Sequence, residues 1–357
     1  MTEPDFRKVT SGRILRATFV AVSLGIIVHV LLLARPGLTR AAVALRNMQP
    51  VLIAVAVLLE LASSAALVQL YRSTLSATGT ALSFRQVVPV SMAGFTVSRL
   101  FPGGGLTAAV FMTREFAARG INAATSTGSV VVAGTLGMLV LGEIVALGTI
   151  ASLLRGDLPP AYAIAIPLVA VLLAIACAIG FRLLTSPQPL ATALNHFESF
   201  LSRFRVRALL KLRSFVGALR VNLSTPAMLR TPALWSLANW LTDIAALWVL
   251  FFGFGYHLHL GIVVVGYGVA NLLTALPVTP GGLGLVEAGL AGTYVAFGVP
   301  SEIAIVVVLA YRLISYWLPS LAGLPVYFHA IQKMHDDLNS KVAGNALDGP
   351  LIKGERS

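Results

Sequence analysis

The chain has 357 residues, of which 57% are hydrophobic and 11% charged, with one cysteine and a formal net charge of +12. A mean hydropathy of +0.86 excludes an ordinary soluble domain and points to an integral membrane protein. The positive balance suits basic loops collected on one side of a membrane, so no nucleic-acid partner is expected. Cys177 sits alone inside an apolar run, which leaves no intrachain disulfide and no thiolate metal cluster.

A helix needs about 20 apolar residues to cross the hydrocarbon core. Residues 1–13 form a short N-terminus in which Arg7, Lys8 and Arg13 precede the apolar stretch Ile14–Ala34. That start resembles a secretory signal. Its apolar core is longer than a signal needs and no small-residue cleavage site follows, so the segment reads as a retained helix. Val51–Tyr71 is a second span. The apolar region Val87–Ala118 is cut near its middle by Pro102-Gly103-Gly104-Gly105, and Asn122–Ala151 and Ala161–Leu184 complete a first half, residues 14–184.

Residues 185–230 are basic and amphipathic: Phe197, Phe200 and Phe204 recur at helical spacing among Arg203, Arg205, Arg207 and Lys211. Such a segment is expected along the cytoplasmic interface, its rings in the acyl boundary and its cations on lipid phosphates. The second half, residues 231–330, holds the span Pro232–Phe254, a region Leu258–Gly298 and the span Ser301–Phe328. Its middle region is again cut, at Pro280-Gly281-Gly282-Leu283-Gly284. The polar tail, residues 331–357, is charge-balanced, reads as disordered, and is too short for a catalytic domain.

The two breaks are related. Laid over each other without a gap, residues 102–122 and 280–300 agree at Pro-Gly-Gly and at the pairs Ala118/Ala296 and Gly120/Gly298, with Phe116 opposite Tyr294. Each arm of a broken region is about 14 residues, or ~21 Å, against a core of ~30 Å. Two arms therefore cannot be two full spans, and each broken region is expected to leave on the side it entered. With the N-terminus cytoplasmic, Arg72, Arg85, Arg114, Arg119 and the basic segment fall inside, against Arg35, Arg40, Arg46 and Arg155 outside. The predicted fold is an all-α integral membrane protein with about six transmembrane helices and two re-entrant hairpins in an inverted repeat. Both termini are cytoplasmic in this arrangement.

Ionisable groups within apolar spans cost about 3 kcal/mol each and need partners or a wet cavity. They are Glu60, Arg99, Glu143, Asp243, Glu287 and Arg312. Gly103, Gly104, Gly281, Gly282 and Gly284 let the backbone approach a ligand, and the helix starting after each break offers free N–H groups. An anionic headgroup is a natural guest there, with Arg99 and Arg312 as phosphate ligands. Glu287 would neutralise an arginine, recognise an amine or bind a coupling proton or cation; Glu60 and Asp243 are further coupling candidates. The competing reading pairs Glu287 with Arg312, and Glu60 or Asp243 with Arg99, to fix packing. Glu143 lies near a helix end, where it is expected to reach water. His257 and His259 do not share a helical face, and no metal site is expected. Trp235, Trp240, Trp248 and Trp317 read as packing or interfacial anchors. No nucleotide fingerprint, Walker element or nucleophile elbow occurs, so the chain is read as a non-enzyme without a cofactor.

The stretch Leu276-Pro277-Val278-Thr279-Pro280-Gly281-Gly282-Leu283-Gly284-Leu285-Val286-Glu287, followed by Arg312 in the next span, resembles the transmembrane domain of lysylphosphatidylglycerol synthases and its stand-alone, flippase-like relatives. Arg99-Leu100-Phe101-Pro102-Gly103-Gly104-Gly105 is similar to that family's early Pro-Gly element; where relatives often carry Glu-Arg in the following span, this chain has Ala133-Gly134. The resemblance implies translocation of a phospholipid or glycolipid between leaflets, without the synthase domain. Two alternatives stay open: an ion-coupled transporter of a small solute, and an accessory subunit presenting a lipid carrier to a glycosyltransferase. A lipid-modifying enzyme is the protein partner these readings suggest, and a bacterial inner membrane the expected location.

Overall fold

The computed structural model describes residues 46, 48–101, 104–157, 226–274 and 279–347, and no strand occurs among them. The predicted helix Ile14–Ala34, the predicted span Ala161–Leu184, the basic segment up to residue 225, and Pro102 and Gly103 lie outside the described residues.

Helix α1 (Pro50–Ser76) shows how the solvent is chosen. Its outward positions carry large apolar side chains, with Val51, Leu58 and Leu61 more than half exposed, while Ala56, Glu60, Ser63 and Ala66 are buried. A soluble helix has the opposite pattern; this one is built for hydrocarbon outside and small or polar groups inside. The small residues let α5 (Pro226–Gly253) come close. Asn239 Nδ2 donates to the Ser63 carbonyl at 3.0 Å and to its Oγ at 2.8 Å, and the Gln49 N–H donates to the Gly253 carbonyl at 3.0 Å. Since residue numbers rise along α1 as their partners fall along α5, the two helices run antiparallel.

The first broken region is α2 (Phe84–Leu100) packed against α3 (Gly104–Ala118), and α4 (Ala123–Arg155) follows. Helix α2 ends where Phe101 turns extended (φ −111, ψ 148), as a residue before proline prefers. The second broken region is α6 (Leu260–Thr274), a 3-10 turn (Pro280–Gly282) and α7 (Leu285–Ala296). Then come α8 (Ser301–Arg312), a π turn (Leu313–Trp317) and α9 (Leu318–Leu347).

Both broken regions end alike. Gly120 and Gly298 are left-handed (φ 84 and 87), and the Ile121 and Val299 N–H groups reach back to the carbonyls of Phe116 and Tyr294. Phe116 and Tyr294 are fully buried, and Ile121 and Val299 nearly so. This is one helix-stop motif used twice, and it explains why those positions agree in sequence.

Among the described residues four helices are long and apolar enough to cross a membrane: Pro50–Ser76, Thr125–Arg155, Met228–Gly253 and Ser301–Gln332. They coincide with four predicted spans. The arms of the breaks have 17, 15, 15 and 12 residues, the longest about 25 Å, still short of the ~30 Å core. One correction concerns the tail: α9 continues to Leu347, so residues read as disordered are helical. Ala330, Gln332, Lys333, Met334 and Leu338 are good helix formers, which suits the continued helix.

Packing between the two units is reciprocal. Helix α1 lies on α5, α2 of the first break lies on α9, and α6 of the second break lies on α4. The result brings both breaks to one place.

Candidate functional site

At the second break Gly281, Gly282 and Gly284 all have positive φ (59, 71 and 85). At Gly281 a Cβ would strike both the Tyr316 hydroxyl and the Arg99 carbonyl. The second break is therefore laid directly on the end of α2, where the first break begins. Leu100, Leu283, Tyr316 and Trp317 form the apolar contact that holds them together.

Glu287, one turn into α7, does two things. Its Oε2 accepts the Gly284 N–H at 2.7 Å, and its Oε1 accepts Arg312 Nε at 2.7 Å. Arg312 Nη2 donates further to the Gly281 carbonyl at 3.3 Å. The Glu287 side chain is 0% exposed and that of Arg312 8%. The anion at the start of α7 is thus the protein's own, and the expected phosphate place at this helix end is filled by Glu287. A cavity of about 10 Å³, the size of one water, lies beside Glu287 against Ile305, Val308 and Leu309.

Arg99 is held differently. Its Nη1 donates to the Ser315 carbonyl. The reason lies four residues further on: Pro319 has no N–H to return to Ser315, so that carbonyl is left for another donor. The same gap coincides with the π turn Leu313–Trp317, where the Leu318 N–H reaches five residues back to Leu313. The guanidinium lies 3.5 Å from the centre of the Phe95 ring and 5.2 Å from that of Tyr316, while Arg312 sits 4.1 Å from Tyr316. Tyr316 thus faces both cations, and its hydroxyl donates to the Arg99 carbonyl at 2.7 Å. Among the described residues no carboxylate lies within ion-pair distance of Arg99, which is half-buried. The direct ion pair between Arg99 and Glu60 or Asp243 is therefore not formed.

Asp243 has other partners. Tyr267 Oη donates to its Oδ2 and Tyr311 Oη to its Oδ1, each at 2.6 Å. Glu60 is 5% exposed and its Oε1 has no hydrogen-bond partner. It faces Asp243 across the α1–α5 contact and lies in the field of Arg99. Gly104 begins α3 with φ +39, its N–H on the Phe101 carbonyl at 3.2 Å. The structure thus brings together Arg99, Gly281, Gly282, Gly284, Glu287 and Arg312, and places Glu60 and Asp243 as a second group within electrostatic reach.

Peripheral residues fall outside this cluster. Glu143 is exposed, and Arg155 Nη1 meets His259 Nδ1 at 3.1 Å. No group of metal-ligating side chains occurs among the described residues. Trp240 and Trp248 donate to the Gly137 and Leu258 carbonyls at 2.8 Å, so both are packing anchors. The residues that sequence reasoning passed over are Phe95, Tyr267, Tyr311, Tyr316 and Pro319. For the three tyrosines and the proline the signal was a hydroxyl or a missing N–H deep in an apolar span, where every polar group needs a partner and every missing N–H frees a carbonyl; Phe95 carried no such signal.

Residues 18–323 match the family model described as the lysylphosphatidylglycerol synthase TM region. The chain belongs to this family. Relatives of this lysylphosphatidylglycerol synthase TM-region protein include a UPF0104 membrane protein of Methanothermobacter thermautotrophicus, 36% identical over 88 residues (25% of this chain, 26% of the relative). Another, from Methanocaldococcus jannaschii, is 33% identical over 88 residues (25% and 26%). A third, again from Methanothermobacter thermautotrophicus, is 28% identical over 138 residues (38% and 40%). The aligned stretches thus span about a quarter to two fifths of the relatives' lengths. On α4 Ala133 is buried and Gly134 exposed.

Proposed function

We propose that this integral membrane protein moves a lipid with an anionic headgroup between leaflets, the headgroup passing between the two Pro-Gly breaks while the acyl chains stay in lipid. The observation that carries the proposal is Arg99. Glu287 and Arg312 satisfy each other, whereas the Arg99 guanidinium, half-buried where the breaks meet, has an ion-pair partner in no described carboxylate. A phosphate would accept from this guanidinium a forked pair of N–H bonds that no described carboxylate takes. Glu287 and Arg312 then act as the lock that shapes the second break, and Arg99 as the headgroup contact.

The antiparallel α1–α5 pair and the exchanged packing of the breaks suit an inverted repeat with re-entrant hairpins, a recurrent plan for alternating access. In this reading the protein transports and does not synthesise, and the basic loops set both termini on the cytoplasmic side of a bacterial inner membrane.

The test is leaflet transfer in proteoliposomes. Purified protein is reconstituted with labelled lipids bearing anionic, aminoacylated, glycosylated or zwitterionic headgroups, and an impermeant quencher reports the outer leaflet. Faster transfer of an anionic class than in protein-free liposomes supports the proposal. Equal rates for all classes, in protein shown to be folded, oppose it.

A further inference from the structure

Among the described residues, the carboxylates gathered about the two breaks are Glu60, Asp243 and Glu287, and the cations are Arg99 and Arg312. Fully ionised, this set carries one negative charge too many. An uncompensated charge in that position is costly, and the set becomes neutral if one carboxyl holds a proton. Three candidates exist. Glu287 is excluded because its two oxygens accept from Arg312 Nε and the Gly284 N–H. Asp243 is excluded because each oxygen accepts a phenol O–H at 2.6 Å, the short distance of a charge-assisted bond to a carboxylate. Glu60 remains. It is buried to 5% exposure, and its Oε1 accepts from nothing.

The groups that face it are few. From α5 comes Asp243, from α6 Tyr267, from α8 Tyr311, and from α2 Arg99, while Ser63 on its own helix is engaged by Asn239. Both phenols give their protons to Asp243, so neither is free to serve Glu60. A carboxylic acid O–H turned toward Asp243 would satisfy the geometry; a second bare carboxylate would not.

We propose that Glu60 is a proton-carrying residue, protonated in this conformation, and that Asp243, fixed by Tyr267 and Tyr311, is the charge against which it titrates. The inference rests on the transport reading for its consequence. When Glu60 releases its proton, the added negative charge draws Arg99 away from a phosphate; when Glu60 is protonated, Arg99 is available. The only covalent event is O–H cleavage at Glu60, the proton leaving to water or a neighbouring acceptor. Headgroup binding is thereby tied to a proton.

The test has two arms, both on the full chain in lipid nanodiscs or proteoliposomes. Infrared difference spectra read the C=O stretch of a protonated carboxyl. The wild type is expected to show this band at neutral pH, shifted in deuterated buffer, and to lose it in Glu60→Gln while keeping it in Glu143→Gln. Absence of the band in folded wild-type protein overturns the proposal whether or not the variant folds. Loss of the band on adding sodium at constant pH also overturns it, in favour of a metal cation. In the second arm a pH gradient is imposed during lipid transfer. The wild type is expected to respond severalfold, and Glu60→Gln, a mimic of the protonated state, to transfer at a rate indifferent to the gradient. A band without lipid transfer keeps the proton site and sinks the flipping reading; gradient-insensitive transfer in the wild type does the reverse.

Discussion

Glu287 and Arg312 offer the most quantitative test of the architecture. Their contact of 2.7 Å joins side chains that are 0% and 8% exposed. Removing one partner of such a pair leaves a buried charge uncompensated, at about 3–5 kcal/mol. In Glu287→Gln the guanidinium loses its counter-charge and keeps the Gly281 carbonyl and the Tyr316 ring, and in Arg312→Met the carboxylate loses its counter-charge and keeps the Gly284 N–H. Each single change is therefore expected to destabilise by about 3–5 kcal/mol. The double variant removes both charges together and is expected to cost at least ~2 kcal/mol less than the sum of the singles. The assay is equilibrium unfolding in mixed micelles with a rising fraction of denaturing detergent, followed by helicity and extrapolated linearly. Single variants that each lose less than ~1 kcal/mol, or a double variant that is simply additive, would refute the assignment of this pair as the lock of the second break.

Three further outcomes follow from the same geometry. Tyr267→Phe and Tyr311→Phe each remove a hydrogen bond to Asp243 and should each cost about 1.5–3 kcal/mol in that titration; losses within error would mean that Asp243 is not the acceptor. Gly281→Ala forces a Cβ at φ +59 against the Tyr316 hydroxyl and the Arg99 carbonyl. Its yield of monodisperse protein should fall sharply, while Gly292→Ala, with nothing within 4 Å of the added carbon, should purify normally. Pro319→Ala returns an N–H to the Ser315 carbonyl and competes with Arg99 for it. The helix should become no less stable while lipid transfer changes, and an unchanged rate would show that this carbonyl does not position Arg99.

The four described spans were legible because hydrocarbon demands long apolar runs, and the breaks because proline and glycine interrupt them at matching places. The repeated helix stop at Gly120 and Gly298 was visible as bare sequence agreement, and its cause is a left-handed residue over a buried Phe116 or Tyr294. The ionisable residues could be counted but not paired. Glu287 and Arg312 met as one of the two sequence readings allowed. Arg99 and Asp243 did not, because Arg99 bonds a carbonyl 216 residues away and Asp243 is claimed by two tyrosines on two other helices. Composition does not reveal such partners, since they depend on which helices cross. The helical extension of α9 is hidden in the sequence for a simpler reason: its balanced charges look like a solvated tail, although its residues are good helix formers.

The role of Arg99 as the headgroup contact is read out by the initial rate of anionic-lipid transfer in proteoliposomes for wild type and Arg99→Gln, with helicity and monodispersity matched. Arg99→Gln is expected to lose most of the anionic transfer, and Arg99→Lys to recover part of it because the charge returns without the forked geometry. Transfer by Arg99→Gln at the wild-type rate would mean that Arg99 does not bind the headgroup.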